Sequence, residues 1–301
     1  MNATVELAQV AERTTAAEHA ADSFQRYYEE AGPDYAAWSP EFNMHFGFFR
    51  WGMNPFDREA MLELMNREVL DRLHVEPDFP ARILDMGCGL AATLRSFARQ
   101  LPSADLRGIT LVPWQLEQGI RLNQQYPDCK SIALSLGNYE RTAEPPESFD
   151  AICALESSCY SAGANKPAFL REAHRLLRPG GRLVVADGFL GAGKLRGLQN
   201  TFYRKLCECW VIDAFGEVEP FTAELARTGF REIVVERLQA RVMPSALHIP
   251  WVTLKFLASV AFERRQMTRA RWNNVLAPLL LPLVSYPIGP FAYYIISATR
   301  D

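Results

Sequence analysis

The sequence lacks the features that mark metal-binding, disulfide-stabilised and nucleic-acid-binding proteins. Histidine is scarce, with 5 residues among 301, and the histidines share no metal-ligand spacing. The 6 cysteines include no C-x-x-C pair, so we expect reduced thiols and no structural zinc. The net charge of −3 is too close to neutral for a surface that releases counterions from nucleic acid. The sequence therefore predicts a metal-free protein with no nucleic-acid partner.

The sequence predicts neither an apolar targeting segment nor a membrane-spanning helix. Residues 1–24 are Ala-rich and contain no apolar signal-peptide core. The uncharged segment 276–296 is long enough to span a membrane, but it contains four prolines and ends in β-branched and aromatic residues. We predict an apolar lid that leads into a buried last strand. A cytoplasmic location is expected, and the cations within 263–271 leave peripheral contact with anionic lipid open as an alternative to a solvated helix face.

Apolar residues, at 49% of the chain, are frequent enough for a large core. From residue 82 onward, β-type runs alternate with helical patterns, which is typical of a parallel sheet covered on both faces. Strands are predicted at 82–86, 105–111, 130–134, 149–155, 181–187, 231–237 and 291–298, and helices near 91–100, 114–125, 165–177 and 221–228. The predicted fold class is α/β, with a seven-stranded, mostly parallel sheet and helices on both faces. The predicted units are a helical cap at 1–79 and a domain at 80–301, with helical insertions near 190–218 and, before the last strand, 240–285.

Segment 83–98 is the most informative part of the chain. Here an apolar strand ends in Asp85, and Gly87 and Gly89 come before a helix. A glycine turn at a helix N-terminus lets the backbone approach a ligand closely and offers free N–H groups to a carboxylate or phosphate. The next strand ends at Thr110 rather than at the acid expected of an NAD-binding fold, and the glycine spacing also differs. A nicotinamide enzyme is therefore disfavoured.

Polar side chains follow the neighbouring strands at the same edge of the predicted sheet. Gln115 lies just inside the helix after Thr110, Asn138 follows the third strand, and Glu156 follows the fourth. The carboxyl ends of parallel strands form the crevice where open α/β sheets bind ligands. Hydroxyl and amide groups suit a ribose edge, and the Asn138 amide suits an adenine amino group.

In this order, the motifs resemble those of class I S-adenosylmethionine-dependent methyltransferases. The resemblance is carried by D-x-G-C-G at 85–89, G-I-T-L at 108–111, S-F-D at 148–150 and L-R-P-G-G at 177–181. It covers residues 25–190 strongly and the tail weakly. G-I-T-L-x-x-x-Q and the Tyr27-Tyr28 pair are similar to a subset with cyclopropane-fatty-acid synthases, tocopherol and sterol methyltransferases, and isoprenoid-diphosphate C-methyltransferases. The resemblance implies a Rossmann-like fold and S-adenosylmethionine as methyl donor, released as S-adenosylhomocysteine.

The resemblance also implies a donor-binding role for a set of residues around the glycine loop. Tyr28 and the amides around Gly87 and Gly89 would hold the methionyl carboxylate and amine, and Asp85 would order the loop or meet the amine. The ribose would contact Thr110 and Gln115, and the adenine Asn138 and Tyr139. The predicted set also includes Cys88, Leu111 and Leu155.

Two positions depart from the family pattern. Ala91-Ala92 replaces the usual Gly-Gly after the second loop glycine, which is tolerable if both positions are already helical. Asn138 replaces the commoner Asp, which weakens the expected hydrogen bond to adenine without removing it.

An aromatic stretch and one carboxylate predict the chemistry on the acceptor side. Methylation of a carbon–carbon double bond leaves a carbocation, which aromatic faces stabilise and from which a carboxylate must remove a proton. Glu156 is the predicted base, because Glu-Ser-Ser-x-Tyr at 156–160 is similar to the Glu-Ser-Thr-x-Tyr of the isoprenoid-diphosphate enzymes. The predicted substrate residues are Phe46, Phe48, Phe49, Trp51 and Tyr160.

Other interpretations of the acceptor side stay open. With a phenol or amine acceptor, His45 or Glu156 would act as base, and the aromatics would form an apolar slot. Core packing for the aromatics and purely structural roles for Glu156 and His45 are the simpler alternatives. No D-D-x-x-D motif is present, so Arg50, Arg264 and Arg265 are the candidates for holding a diphosphate directly.

The sequence therefore predicts an S-adenosylmethionine-dependent methyltransferase of a lipophilic small molecule. C-methylation of an isoprenoid or polyene is favoured. O- or N-methylation of an aromatic metabolite and lipid cyclopropanation are the alternatives, and a non-catalytic donor-binding protein is a further one.

Overall fold

The computed structural model of the chain describes residues 22–285 and 287–301. The strands are β1 (Arg82–Met86), β2 (Asp105–Thr110), β3 (Ala133–Leu136), β4 (Phe149–Leu155), β5 (Leu177–Leu190), β6 (Gly216–Glu217), β7 (Phe230–Arg237) and β8 (Phe291–Arg300). They form one sheet in the order β3-β2-β1-β4-β5-β8-β7, and β6 pairs with β5. Strand β8 runs antiparallel to both of its neighbours, β5 and β7, and the other strand pairs of this described sheet are parallel. The predicted α/β class, with a mostly parallel, Rossmann-like sheet, is confirmed.

Helices precede the sheet, cover both of its faces and interrupt its last part. The first helix, α1, is described over residues 22–31. The others are α2 (Arg58–Leu73), α3 (Ala92–Ala98), α4 (Pro113–Asn123), α5 (Pro167–Leu176), α6 (Leu198–Trp210), α7 (Val218–Thr228), α8 (Gln239–Ala246), α9 (Ile249–Phe262) and α10 (Arg269–Val284). Short 3-10 helices occupy Gly32–Ala37, Pro127–Cys129 and Ser158–Tyr160.

Both faces of the sheet are buried because successive strand residues point to opposite sides. Ile83, Cys153 and Val184 belong to one core, together with apolar residues of α2, α3 and α8. Their chain neighbours, such as Leu84 and Ile152, belong to the other core, which α5 and α7 complete. This double burial accounts for the nearly continuous apolar runs in the sequence.

Three details of the predicted sheet need correction. The third strand covers 133–136 instead of 130–134, because the turn at Pro127–Cys129 continues through a hydrogen bond from the Ile132 amide to the Cys129 carbonyl, 3.2 Å. The fifth strand begins at Leu177, and a register shift against β4 accommodates the glycine turn. The two-residue β6 was not predicted. The first 21 residues of the predicted cap lie outside the described residues, and the cap boundary at residue 79 stays a prediction.

The apolar segment 276–296 folds as its composition predicts. Its first part belongs to α10, which ends at Val284, and its last part belongs to β8, which begins at Phe291. Strand β8 is buried from Phe291 to Thr299 between β5 and β7. The lid helices α8 to α10 are therefore inserted between two adjacent strands of one sheet.

Candidate active site

The candidate site lies at the carboxyl ends of β1 and β4, where the strand order reverses direction. These strands pair in register at Asp85 and Cys153, so Asp85 and the residues after Leu155 face the same crevice. Ser157 ties the two strand ends together, because its hydroxyl donates to the Met86 carbonyl at 2.6 Å. A cavity of about 570 Å³ opens here, which we call the donor cavity.

The glycine loop after β1 closes one side of the donor cavity. Gly87 has φ +102°, and a Cβ there would clash with the Ser157 side chain. The amides of Gly87 and Cys88 both donate to the Ile109 carbonyl at 3.0 Å, so they anchor the loop to β2. The amides of Gly89 and Leu90 donate to no acceptor within the described residues, and these two are free for a ligand carboxylate.

The helix after this loop starts differently from the expectation. Ala92 is the first residue of α3, but Ala91 has φ +63° and is left-handed rather than helical. A left-handed alanine costs roughly 1 kcal/mol, because its Cβ approaches the following carbonyl oxygen. Ala91-Ala92 was expected to replace Gly-Gly without strain if both positions were helical. Only Ala92 is helical, so Ala91 carries the strain.

Asp85 is a buried carboxylate that lacks a partner. Its side chain accepts no hydrogen bond from the described residues, and its Oδ1 is fully buried. Burial raises the pKa of Asp85 to about 7. An unpartnered acceptor of this kind, beside two free amides, fits a ligand that carries both an ammonium group and a carboxylate. The methionyl end of S-adenosylmethionine has this pair of groups.

The far end of the donor cavity carries the predicted ribose and adenine residues. The Thr110 hydroxyl donates to the Gln115 side-chain oxygen at 2.6 Å, which leaves the Gln115 amide nitrogen for a ligand. The Asn138 side-chain oxygen accepts from the Glu140 amide at 2.8 Å. Tyr139 stands between the glycine loop and β4, and its hydroxyl donates to the Ser157 carbonyl at 2.9 Å.

The structure brings all the predicted donor residues into this one cavity. Its lining includes Tyr28, Asp85, Gly87, Cys88, Gly89, Thr110, Leu111, Gln115, Asn138, Tyr139 and Leu155. Their positions fit S-adenosylmethionine, and their individual contacts with it stay predictions.

A second, smaller cavity of about 150 Å³ lies between the N-terminal segment and the lid helices, and we call it the acceptor cavity. Aromatic side chains make up much of its wall. These are Tyr28, Tyr35, Trp38, Phe46, Tyr160, Trp210, Phe215 and Phe256. The residues that line both cavities are Tyr28, Met44, His45, Glu156 and Tyr160. The two cavities therefore meet at these side chains.

Glu156 is held at this junction by a strained backbone and a short hydrogen bond. Its φ is +50°, a region that costs a non-glycine residue energy and is found preferentially at functional sites. Its Oε1 accepts from the Phe46 amide at 2.6 Å. Burial raises the pKa of Glu156 to about 8, with Asp187 adding to the effect. The carboxyl group is thus placed to exchange a proton near neutral pH.

His45 is packed, and both of its ring nitrogens face oxygens of the protein, to one of which a neutral ring donates. Nδ1 lies 2.9 Å from the Phe46 carbonyl, and Nε2 lies 3.2 Å from the Asn43 side-chain oxygen. Burial lowers the pKa of His45 to about 4, so the ring is neutral near neutral pH. The structure therefore favours the packed, hydrogen-bonded interpretation of His45 over a role as base.

Tyr28 and Tyr160 join the cap to the loop after β4. Their hydroxyl oxygens are 2.8 Å apart, and both rings contact Phe24 edge-on. The neighbouring Tyr27 is also buried, and its hydroxyl donates to the Asn274 side chain on α10 at 3.1 Å. Tyr28 thus connects α1 to the loop after β4, and Tyr27 connects α1 to α10.

Three predicted substrate residues lie outside both cavities, so these assignments are corrected. Phe48 packs into the core against α2. Phe49 turns away and contacts Trp51 edge-on, with ring centroids 5.8 Å apart. Trp51 is 84% exposed. Only Phe46 and Tyr160, of the five predicted, line the acceptor cavity, because the chain crosses the cavity wall near Phe46 and then leaves it.

Several acceptor-side residues were not predicted. Asp187 ends a predicted strand, which was a signal in the sequence. Its carboxylate accepts from the Ser158 hydroxyl at 2.7 Å and the Cys159 amide at 2.9 Å, and so holds the loop that carries Glu156. Trp210 comes from α6 and Phe256 from the lid helix α9, neither of which carries a motif, so the sequence contains no signal for them.

In a comparison with known proteins, residues 83–181 match a family described as methyltransferase domain. A relative in Synechocystis sp., 2-methyl-6-phytyl-1,4-hydroquinone methyltransferase, is 28% identical over 153 residues. That match covers 50% of this chain but only 46% of the relative, less than half of its length.

Two solved structures show the same fold over most of the chain. Cyclopropane synthase MmaA2 from Mycobacterium tuberculosis has a TM-score of 0.75 and 18% identity, covering 93% of this chain and 98% of that one. A geranyl diphosphate methyltransferase has a TM-score of 0.69 and 17% identity, covering 94% and 99%. Residues 83–181, from β1 into the start of β5, therefore match a methyltransferase domain, and the chain shares its fold with these two structures.

Proposed function

We propose that this protein transfers a methyl group from S-adenosylmethionine to a carbon atom of a lipophilic, uncharged alkene, with Glu156 as the base. The observation that carries the proposal is the position of Glu156 at the junction of the donor and acceptor cavities. A group at this point reaches the carbon that receives the methyl group and the hydrogen next to it.

The reaction needs positioning more than activation. S-adenosylmethionine supplies an electrophilic methyl group, and the C–S bond breaks with its electron pair retained on sulfur. The alkene π electrons form the new C–C bond and leave a cation on the adjacent carbon of the acceptor. The Glu156 carboxylate then removes a proton next to that cation, and a double bond reforms. Alignment of two reactants in this way can contribute roughly 7–11 kcal/mol.

The acceptor-cavity wall suits a cationic intermediate. A cation over an aromatic face is stabilised by about 0.5–2 kcal/mol, more where water is excluded. Trp38, Phe46 and Tyr160 line the same cavity as Glu156. Their apolar surfaces also exclude the water that would capture the cation.

The lining argues for an acceptor without an anionic head. No Lys or Arg is among the described residues that line either cavity. Arg50, one of the candidate diphosphate ligands, pairs with Glu68. Arg265 pairs with Glu263 and lies 3.9 Å from Asp34 of the acceptor-cavity lining. A diphosphate in the acceptor cavity would meet the carboxyl groups of Glu156 and Asp187, whereas the Asp34 carboxylate is already paired with Arg271. A neutral isoprenoid or polyene therefore fits this lining better.

The test is methyl transfer by a Glu156→Gln variant with labelled S-adenosylmethionine and a panel of neutral isoprenoids and phenols. We expect turnover to fall by about 10²–10⁴-fold, the usual contribution of a general base. S-adenosylhomocysteine affinity should stay the same, because Glu156 lies at the inner end of the donor cavity. Glu224→Gln, which changes a buried glutamate of α7 outside both cavities, is the control and should keep full turnover.

The pH profile and the position of the label complete the test. Glu156 accepts a proton only when ionised, so turnover should rise with pH through about 8, its pKa. Near-normal turnover of Glu156→Gln would remove the base role. A product labelled on oxygen or nitrogen would replace C-methylation with heteroatom methylation.

A further inference from the structure

Helix α9 has two apolar faces. Ile249, Val252 and Phe256 line the acceptor cavity, at the spacing of one helix face. On the opposite face, Trp251 is 57% exposed and Leu254 is 59% exposed. Soluble helices normally place polar residues on the side away from the core, so this second apolar face needs a partner.

Helix α10 carries a similar exposed stripe. Trp272, Leu276, Leu279 and Leu283 follow each other at steps of four, three and four residues, and each is exposed. Ala277, Leu281 and Val284 on another face are buried in the cluster that includes residues of α6. We call the exposed apolar residues of both helices, together with Leu247 just before α9, the lid surface. It consists of Leu247, Trp251, Leu254, Phe262, Trp272, Leu276, Leu279 and Leu283.

The lid region has a charge opposite to that of the rest of the chain. Between residues 239 and 290 there are six cations, Arg241, Lys255, Arg264, Arg265, Arg269 and Arg271, and one acid, Glu263. The segment therefore carries +5, whereas the whole chain carries −3. Three of these cations are held in ion pairs, Arg265 with Glu263, Arg269 with Glu208 and Arg271 with Asp34. Lys255 lies over the Trp251 ring at 5.0 Å, so a cation and an interfacial aromatic share one exposed site. Anionic lipid headgroups attract such cations by about 1 kcal/mol each.

The stretch Gln239–Phe262 is long and apolar enough to cross a membrane, and it is the one such helical stretch among the described residues. However, it is built into the protein. Val242 packs in the main core, and the Ser245 hydroxyl accepts from the Gly47 amide at 2.9 Å. The inner face of α9 is the wall of the acceptor cavity. These contacts favour helices that lie along a membrane surface.

We propose that the lid surface docks on an anionic lipid bilayer, with its apolar side chains in the headgroup region and the exposed cations Lys255 and Arg264 at the phosphates. Because α9 and α10 also line the acceptor cavity, docking places that cavity next to the hydrocarbon. A lipophilic acceptor then enters from the membrane rather than from water. This entry route rests on the proposed function, whereas docking does not.

The test is flotation of the full chain with phosphatidylcholine vesicles, with and without phosphatidylglycerol. Binding should require phosphatidylglycerol and weaken with added salt, since screening acts on the cations. Leu254→Glu should weaken binding by about tenfold or more, because it places a charge on the apolar face. Lys255→Gln should weaken it by about fivefold, the equivalent of one headgroup contact. Phe79→Glu, in an exposed aromatic just before the amino end of β1, should change nothing.

Three measurements separate the possible outcomes. Calorimetry with S-adenosylhomocysteine should give the same affinity for every variant, which shows that the donor site and fold are intact. Equal vesicle binding by Leu254→Glu and Phe79→Glu would overturn the proposal. So would a dimer seen by sedimentation that Leu254→Glu dissociates, without vesicle binding, since a second copy would then cover the lid surface. If the unchanged protein binds vesicles but transfers no methyl group to any acceptor of the panel, the result would count against the proposed function alone.

Discussion

The donor and acceptor cavities share a junction but are built in opposite ways. The donor cavity is lined mainly by one continuous part of the chain, from Asp85 to Tyr160, and it presents polar atoms without partners. The acceptor cavity takes its walls mainly from α1, residues 34–46, α6, α9 and α10, and it presents mostly apolar and aromatic surface. Polar atoms without partners specify one ligand by its hydrogen bonds. An aromatic wall selects by shape and tolerates more variation.

The difference between the cavities predicts that donor binding and acceptor preference respond differently to substitution. The donor cavity depends on backbone conformations that tolerate no side chain, such as Gly87 beside Ser157. The acceptor cavity depends on the distance between the cap and α10, which a buried ion pair fixes. Arg271 donates to both carboxylate oxygens of Asp34 at 2.7 Å. Substitutions should therefore abolish donor binding in the first cavity and change acceptor preference in the second.

The largest effect is expected for Gly87→Ala. The added Cβ would meet the Ser157 side chain, and alanine is strained at φ +102°. We expect the free energy of unfolding to fall by about 3 kcal/mol and S-adenosylhomocysteine binding to be lost, because the loop must move. Denaturant unfolding and calorimetry measure the two quantities.

Gly180→Ala is the matched control for this prediction. Gly180 also has positive φ, +80°, but a Cβ there has no neighbour within 4 Å. It should cost about 1 kcal/mol of stability and leave S-adenosylhomocysteine affinity unchanged. Equal loss of affinity in both variants would show that the donor cavity does not depend on close packing at Gly87.

The next effect concerns Asp85 and pH. Burial raises the pKa of Asp85 to about 7, and a bound ammonium group would lower it again by favouring the charged form. S-adenosylhomocysteine affinity should therefore rise by close to tenfold per pH unit between about 5 and 7 and level off above. In Asp85→Asn the affinity should be weaker and should not vary with pH over this range, as calorimetry would show.

The unfolding free energy of the ligand-free protein should fall as pH rises, whereas the affinity for S-adenosylhomocysteine rises. A carboxyl group with a raised native pKa contributes stability that is complete below the unfolded pKa of about 4 and is lost as pH rises through about 7. Asp85→Asn should therefore reduce the decline in unfolding free energy between these values. A wild-type affinity without pH dependence would mean that Asp85 orders the loop rather than meeting the amine.

The sequence predictions located the strand-end residues of the donor cavity and missed or misassigned several residues of the acceptor cavity. Asp85, Thr110 and Glu156 were predictable, because each ends a strand and parallel strands end at one edge of the sheet. Trp51 was misassigned, because residue type alone does not show where an irregular segment leaves a cavity wall. Trp210 was missed, because its position depends on how α6 packs against α10, a contact between residues far apart in sequence.

A smaller effect is expected from the pair Phe46→Leu and Phe48→Leu. Both changes keep an apolar side chain and remove an aromatic face, but only Phe46 lines the acceptor cavity. Phe46→Leu should lower turnover by roughly fivefold, since one cation–π contact is worth about 1 kcal/mol. Phe48→Leu should leave turnover unchanged and lower the unfolding free energy by about 1 kcal/mol. Equal turnover in the two variants would remove the cation-stabilising role of the aromatic wall.

The smallest effect is expected for Trp51→Ala, and it tests where the acceptor cavity ends. Trp51 is 84% exposed, so its removal should change the unfolding free energy by less than about 0.5 kcal/mol and leave turnover unaltered. Trp38, thirteen positions earlier, lines the cavity and donates from its indole nitrogen to the His45 carbonyl at 3.1 Å. Trp38→Ala should therefore raise KM for the acceptor without changing S-adenosylhomocysteine affinity. A raised KM in Trp51→Ala instead would mean that the acceptor extends beyond Phe46 to the surface, and the cavity boundary drawn from the structure would be wrong.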